Sequence, residues 1–327
     1  MSTPLRVVAF VAALATAFAL AWGGGRLVGP LDTEPVAAHD GAEAHDGAAG
    51  DAHSAEDGDD AGAHGSAVAE ATGLTARADG FTLALTDRTP AAGRTTLSFQ
   101  VLSSSGRPLL DYTREHEKDL HLIVVRRDLT GFQHVHPRLD VETGTWSVPV
   151  RLTPGVWRVV ADFTPEGWEG ITLADDVSVA GDFTPAALPA DDRTARVETD
   201  AGTYTVSLEG DTAPGASTVL TTRIELDGEP VTDLEPYLGA YGHLVAMRAG
   251  DLGYLHVHPE EGPAGPGIDF ATAFPEPATY RLFLDFKHRG AVHTAAFTVD
   301  ASGAPAADGA DDAQEDDHSE EGEEHGH

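Results

Sequence analysis

Residues 106–137 read GRPLLDYTREHEKDLHLIVVRRDLTGFQHVHP, and residues 228–259 read GEPVTDLEPYLGAYGHLVAMRAGDLGYLHVHP. The two stretches align without a gap at a shift of 122 residues. They are identical at Gly106/Gly228, Pro108/Pro230, Asp111/Asp233, His121/His243, Leu122/Leu244, Arg126/Arg248 and Gly131/Gly253, and again through His134-Val135-His136-Pro137 against His256-Val257-His258-Pro259. One residue of slippage later, Trp157 to Phe163 matches Tyr280 to Phe286. Self-similarity at a fixed period marks an internal duplication, so whatever fold the first copy takes the second takes too.

Outward from these stretches, short apolar runs recur every 10 to 25 residues, broken by Gly, Pro and Asp. Phe81 to Leu85, Thr96 to Val101, His121 to Val125, Trp146 to Val150 and Val156 to Phe163 are too short for helices and rich in β-branched and aromatic residues. Such runs favour strands, and no amphipathic helix of convincing length interrupts them. The expected class is all-β: two tandem immunoglobulin-like β-sandwiches, repeat one over 73–182 and repeat two over 197–300, joined by a linker at 183–196 that carries Pro185 and Pro189.

The flanks have a different composition. Arg6 precedes an apolar run of 16 residues from Val7 to Trp22, with Ala19-Leu20-Ala21 as an A-x-A cleavage site. Residues 1–30 therefore read either as a cleaved signal peptide or as a membrane anchor, the run being somewhat short of the ~20 residues a spanning helix needs. Both readings place the rest of the chain outside the cytoplasm, membrane-anchored or secreted. Residues 31–72 and 301–327 are acidic, contain histidine and hold almost nothing large and apolar. Both are expected to be disordered, because such chains bury too little surface to offset their entropy.

The formal net charge of -34 argues against binding nucleic acid or an anionic membrane through a general field, and in favour of attracting cations. Cysteine is absent and methionine occurs only at Met1 and Met247. Disulfides, thiolate metal sites and cysteine nucleophiles are excluded, and so is a thioether-rich Cu(I) site. Any metal must be held by imidazole and carboxylate. No G-x-S-x-G, H-E-x-x-H, phosphate-binding loop or dinucleotide fingerprint occurs, so no enzyme is expected.

The candidate chemistry lies in His121, His134 and His136 and their counterparts His243, His256 and His258. Residues i and i+2 of a strand share a face about 6.6 Å apart. Two imidazoles so placed can converge on one metal at roughly 2.0–2.1 Å. If Asp128-Leu129-Thr130-Gly131 closes a tight hairpin, an even loop pairs Ile123 with His136 and Val125 with His134, and sets His121 diagonally beside His136. An odd loop breaks that geometry. The competing reading makes these histidines hydrogen-bonded core residues, since Ile123 and Val125 share the face of His121. Asp162 and Asp285, matched across the repeats, could orient a ligating imidazole or could simply close a strand. His288 and His293 read as solvated residues at a hairpin tip.

With these residues in view, the exported N-terminus, the small β-sandwich units and the His-Val-His-Pro motifs resemble bacterial extracytoplasmic heavy-metal-binding proteins, broadly similar to the YtkA-like and CopC-like copper proteins. The resemblance covers the two folded units, about two thirds of the chain. It implies buffering or delivery of copper outside the cytoplasm, with His121, His134, His136, His243, His256 and His258 as candidate ligands. CopC-like proteins typically use a histidine at the mature N-terminus, and some add a methionine-rich Cu(I) site; neither is evident here. Cu(II) or Zn(II) is left as the metal, with a membrane metal transporter or another envelope protein as partner. The alternative is a non-catalytic cell-envelope interaction module whose histidines are structural.

Overall fold

A computed structural model describes residues 71–255 and 257–302, with only the backbone of His258. The expected signal or anchor, most of the acidic linker and nearly all of the tail lie outside the described residues. Among those described there is no helix, and the strands form two immunoglobulin-like β-sandwiches in one compact unit.

Repeat one contains β1 (Arg77–Ala78), β2 (Phe81–Leu85), β3 (Gly93–Leu102), β4 (Tyr112–Thr113) and β5 (His121–Arg126). It continues through β6 (Gln133–Val135), β7 (Arg138–Asp140), β8 (Thr145–Leu152), β9 (Gly155–Pro165) and β10 (Ile171–Val179). One sheet has the order β1-β2-β3-β8-β7 and the other β10-β9-β5-β6, with β4 paired to β9. Repeat two contains β11 (Thr194–Thr199), β12 (Gly202–Glu209), β13 (Ser217–Leu226), β14 (Glu229–Pro230) and β15 (Gly242–Arg248). It ends with β16 (Tyr254–Leu255), β17 (His258–Pro259), β18 (Gly267–Ala273), β19 (Ala278–His288) and β20 (Ala291–Ala301). Its sheets run β11-β12-β13-β18-β17, with β14 beside β13, and β16-β15-β19-β20. The linker expected at 183–196 thus enters β11 at Thr194. Thr72, at the end of the expected N-terminal linker, exchanges two backbone hydrogen bonds of 2.9 Å with Tyr254 of repeat two.

Strands with one buried face alternate as period-two packing requires. In β3, Leu97, Phe99 and Val101 face the sandwich core while Ser98 and Gln100 are half-buried. In β8, Trp146, Val148, Val150 and Leu152 do the same. Strand β5 breaks the alternation, with every residue from His121 to Val125 buried. Leu122 and Val124 point into the core of repeat one, whereas Ile123 and Val125 point outward. They meet Val245 and Met247, their counterparts on β15, in a separate cluster shared by both repeats. Leu129, Val160 and Ala174 complete the first side of this junction, and Leu252, Tyr254 and Phe283 the second. Phe132 extends it, stacking on Phe283 at 4.0 Å between ring centroids and 7° between planes. A fully buried side chain of this size is worth about 1.5–3 kcal/mol, so the junction holds the two sandwiches together far more firmly than a polar domain contact would.

The β5–β6 hairpin sets the position of the motif. Its observed register pairs Ile123 with His134 and Leu122 with Val135, two residues away from the expected Ile123–His136 pairing. The turn is longer than expected: Leu129 N donates to Arg126 O at 2.7 Å, and Arg126 N donates to Thr130 O at 3.0 Å. The slip is even, so the same side chains still share a face. Gly131 permits this turn. Its φ is 68°, and a Cβ there would lie 2.5 Å from Cη2 of the buried Trp157 ring. Gly131→Ala is therefore expected to cost about 2 kcal/mol or more, from an unfavourable backbone conformation plus overpacking, read as a lower midpoint in chemical denaturation.

Candidate metal centre

His121 opens β5 and points from its outer face toward the junction. His134 lies in the middle of β6 on the same face, and continuing the register sets His136 opposite His121. The three rings converge, with centroid separations of 5.3, 5.0 and 4.9 Å. Nδ1 of His121 lies 3.1 Å from Nε2 of His134 and 3.2 Å from Nε2 of His136. One ligand atom from each residue falls within 4.8 Å of the others. Nitrogens bound to a tetrahedral metal at roughly 2.0–2.1 Å stand about 3.3 Å apart, close to the two spacings seen here.

The outer nitrogens decide which atoms face inward. Nε2 of His121 is 3.1 Å from the carbonyl oxygen of Glu115. A carbonyl only accepts, so this nitrogen carries the proton and Nδ1 presents a lone pair. Nδ1 of His134 is 3.1 Å from Oδ2 of Asp285 in β19 of repeat two, with both side chains nearly fully buried (5% and 6% exposed). This nitrogen donates to the carboxylate, leaving the lone pair of His134 on Nε2. Two lone pairs therefore point at each other across 3.1 Å. A proton or a metal cation between them relieves that opposition. An imidazole held by an outer carboxylate or carbonyl is also the arrangement that metal-ligating histidines adopt.

Burial keeps the rings basic toward a metal rather than toward protons. It pushes the His121 imidazole down from 6.5 to about 4; the Glu115 carbonyl opposes this and the neighbouring His134 adds to it. Burial, followed by His134 and His121, pushes His136 down to about 2. Ligation needs the neutral imidazole, and these surroundings favour it.

Of the repeat-two candidates, His243 is described. Its Nε2 donates to the carbonyl of Tyr237 at 2.7 Å, as His121 does to Glu115, the aligned residue. Burial lowers its pKa to about 4, again against the pull of the backbone carbonyl. His256 and the side chain of His258 lie outside the described residues. His243 comes within 6.2 Å of the His134 ring and 5.3 Å of the His116 ring, centroid to centroid. His116, a weaker candidate in the sequence because Leu238 replaces it in repeat two, lies close to both His121 and His243. It stands between the repeats, 6.1 Å from His121. A cavity of about 30 Å³ lies among Glu115, His116, His121, His134 and His243. Its size suits a water or an ion and is an order of magnitude below that of organic ligand pockets.

The weaker candidates separate. Asp285 supports an imidazole, but one of the other repeat. Asp162 accepts from Tyr254 Oη at 3.1 Å and Thr172 Oγ1 at 3.0 Å. His288 is buried rather than solvated: Tyr204 Oη lies 2.8 Å from its Nδ1, and Asp233 Oδ1 lies 3.1 Å from its Nε2. The hairpin tip folds back over the Tyr204 side of the core, which the expectation of solvent exposure missed. Arg126 and Arg248 pair with the nearby Asp128 and Asp251.

A family model described as Domain of unknown function (DUF8832) matches residues 76–180 and again 197–303. No curated protein matches the chain. Among solved structures, a Salmonella alpha-2-macroglobulin mutant is 16% identical over 72% of this chain and 15% of its own, with a TM-score of 0.24. The Escherichia coli adhesin FdeC is 16% identical over 72% of this chain and 67% of its own, at 0.22. A marsupial T cell receptor is 10% identical over 67% of this chain and 62% of its own, at 0.20.

The lowered pKa of His243 fixes the sign of one pH effect. The unfolded residue takes up a proton near 6.5 and the folded one only near 4. Its contribution to stability is complete above about pH 6.5 and declines as pH falls toward 4. With metal removed by chelation, the thermal midpoint of the wild type is expected to drop across this window, and that of His243→Gln to drop less, as read by calorimetry at a series of pH values.

Proposed function

The chain belongs to the DUF8832 family, and from the geometry of its own residues we propose that it binds a divalent metal, Cu(II) or Zn(II), outside the cytoplasm. The observation that carries this reading is the pair of opposed lone pairs on His121 Nδ1 and His134 Nε2, 3.1 Å apart, with His136 Nε2 closing the set at 3.2 Å. Three imidazole nitrogens and no sulfur suit borderline ions. The reading is one of binding rather than catalysis, in keeping with the lack of a catalytic motif in the sequence. Arg6 and the apolar run after it support export. The resemblance to extracytoplasmic copper proteins supports buffering or delivery, with a membrane metal transporter or another envelope protein as the exchange partner. The acidic flanks with their histidines would collect cations around the tighter site.

A second reading is a non-catalytic cell-envelope interaction module with structural histidines. It is favoured by His243, which is buried at the junction and tied to a backbone carbonyl.

Titration of the full-length chain separates the two. The wild type is expected to take up one equivalent of Zn(II) or Cu(II) with Kd below about 1 µM, a free energy near -8 kcal/mol. His134→Ala and His136→Ala should each abolish that tight equivalent and keep only weak uptake by the flanks. Equal tight uptake by wild type and both variants would leave the histidines structural. Nitrogen hyperfine splitting in the spectrum of bound Cu(II) provides the direct signature of imidazole ligation.

A further inference from the structure

The proposed ligands all come from repeat one, yet the group that orients one of them comes from repeat two. Asp285 is buried, and its two oxygens have separate tasks: Oδ1 accepts from Thr294 Oγ1 at 2.5 Å, and Oδ2 accepts from Nδ1 of His134. The carboxylate is therefore held by its own repeat before it meets the imidazole of the other. Two residues earlier in each repeat, Phe132, just before β6, stacks on Phe283 of β19, so a polar pair and an aromatic pair lie side by side between the β6 segment and β19. Within repeat one, Asp162 pairs in register with His121 on the neighbouring strand and accepts hydrogen bonds from Tyr254 and Thr172. The support of His134 comes from across the junction.

We infer that Asp285 is a positioning residue of the metal centre and that metal bound by repeat one clasps repeat two through it. This rests on the metal-binding reading above. A cation on Nε2 draws electron density from the ring and makes the Nδ1 proton a stronger donor, which strengthens the bond to Asp285. Asp285 in turn fixes the tautomer and makes Nε2 a better ligand. Coupling of this kind is reciprocal: whatever factor the closed junction adds to metal affinity, the metal adds to closure. A site of this design reports whether the two sandwiches are docked, and metal loading is a signal that the other repeat feels.

The experiment compares wild type, Asp285→Asn and Thr294→Val, all full length, by Zn(II) titration and by amide hydrogen exchange with and without Zn(II). Asp285→Asn can turn its amide nitrogen toward His134 and favour the wrong tautomer. It is expected to weaken binding roughly 10- to 100-fold. Thr294→Val, which only loosens the carboxylate, should show a smaller loss in the same direction, and it decides the question if the Asn variant does not fold. In wild type, saturating Zn(II) should slow exchange along Ala278–His288, a strand that supplies no ligand; in the variants that protection should shrink. A role confined to stability would lower the thermal midpoint without Zn(II) and leave the Zn(II)-dependent protection intact. Unchanged affinity in both variants, or unchanged β19 exchange in zinc-loaded wild type, overturns the clasp while leaving metal binding in place. Failure of wild type to bind Zn(II), or equal binding by His134→Ala, overturns both.

Discussion

A strand has two faces, and in this protein β5 and its twin β15 bury both. One face of each completes its own sandwich, and the other is covered only because a second sandwich lies against it. The outer faces carry Ile123, Val125, Val245 and Met247, so neither repeat can leave this surface in water without losing several kcal/mol of apolar burial. Everything distinctive about the candidate centre follows from this coverage. His121 and His243 begin the covered faces, and desolvation there lowers their affinity for protons. The same coverage brings a carboxylate of one repeat to an imidazole of the other. A lone repeat would expose the same histidines to solvent and deprive His134 of its partner.

Much of the architecture was legible in the amino-acid pattern. The gapless repeat and the short β-branched runs point to two sandwiches, and the parity of the β5–β6 hairpin, although two residues out of register, keeps His121, His134 and His136 on one face. What local pattern cannot carry is contact between repeats. The continuous apolar run after His121 looked like an argument for a core position, and it is one, but the core belongs to the junction and not to either sandwich. Asp285 and Asp162 were visible as a matched pair, yet nothing in their spacing assigned Asp285 to His134 of the other copy. His288 was misjudged for a related reason, because its burial depends on Tyr204 and Asp233, which lie 84 and 55 residues away in sequence.

Duplication usually multiplies a site, but the two copies here have diverged around a common plan. The carbonyls of Glu115 and Tyr237 hold His121 and His243 alike, and Leu122/Leu244 and Arg126/Arg248 keep their places. His116 against Leu238 and Phe132 against Tyr254 differ, and Phe132 and Tyr254 both lie at the junction. Ancestral symmetry persists along β5 and β15, while other positions at the junction have diverged.

The acceptor that fixes the tautomer of His121 belongs to the main chain. A substitution at position 115 changes the side chain but cannot delete that oxygen. The aligned pair already spans a carboxylate and a phenol with no change in the contact. Selection can thus redesign the rim of the site, its charge and its bulk, while the electronic state of the buried imidazole is inherited from the path of the backbone. The loop before β5 is free to drift in sequence provided it does not drift in shape.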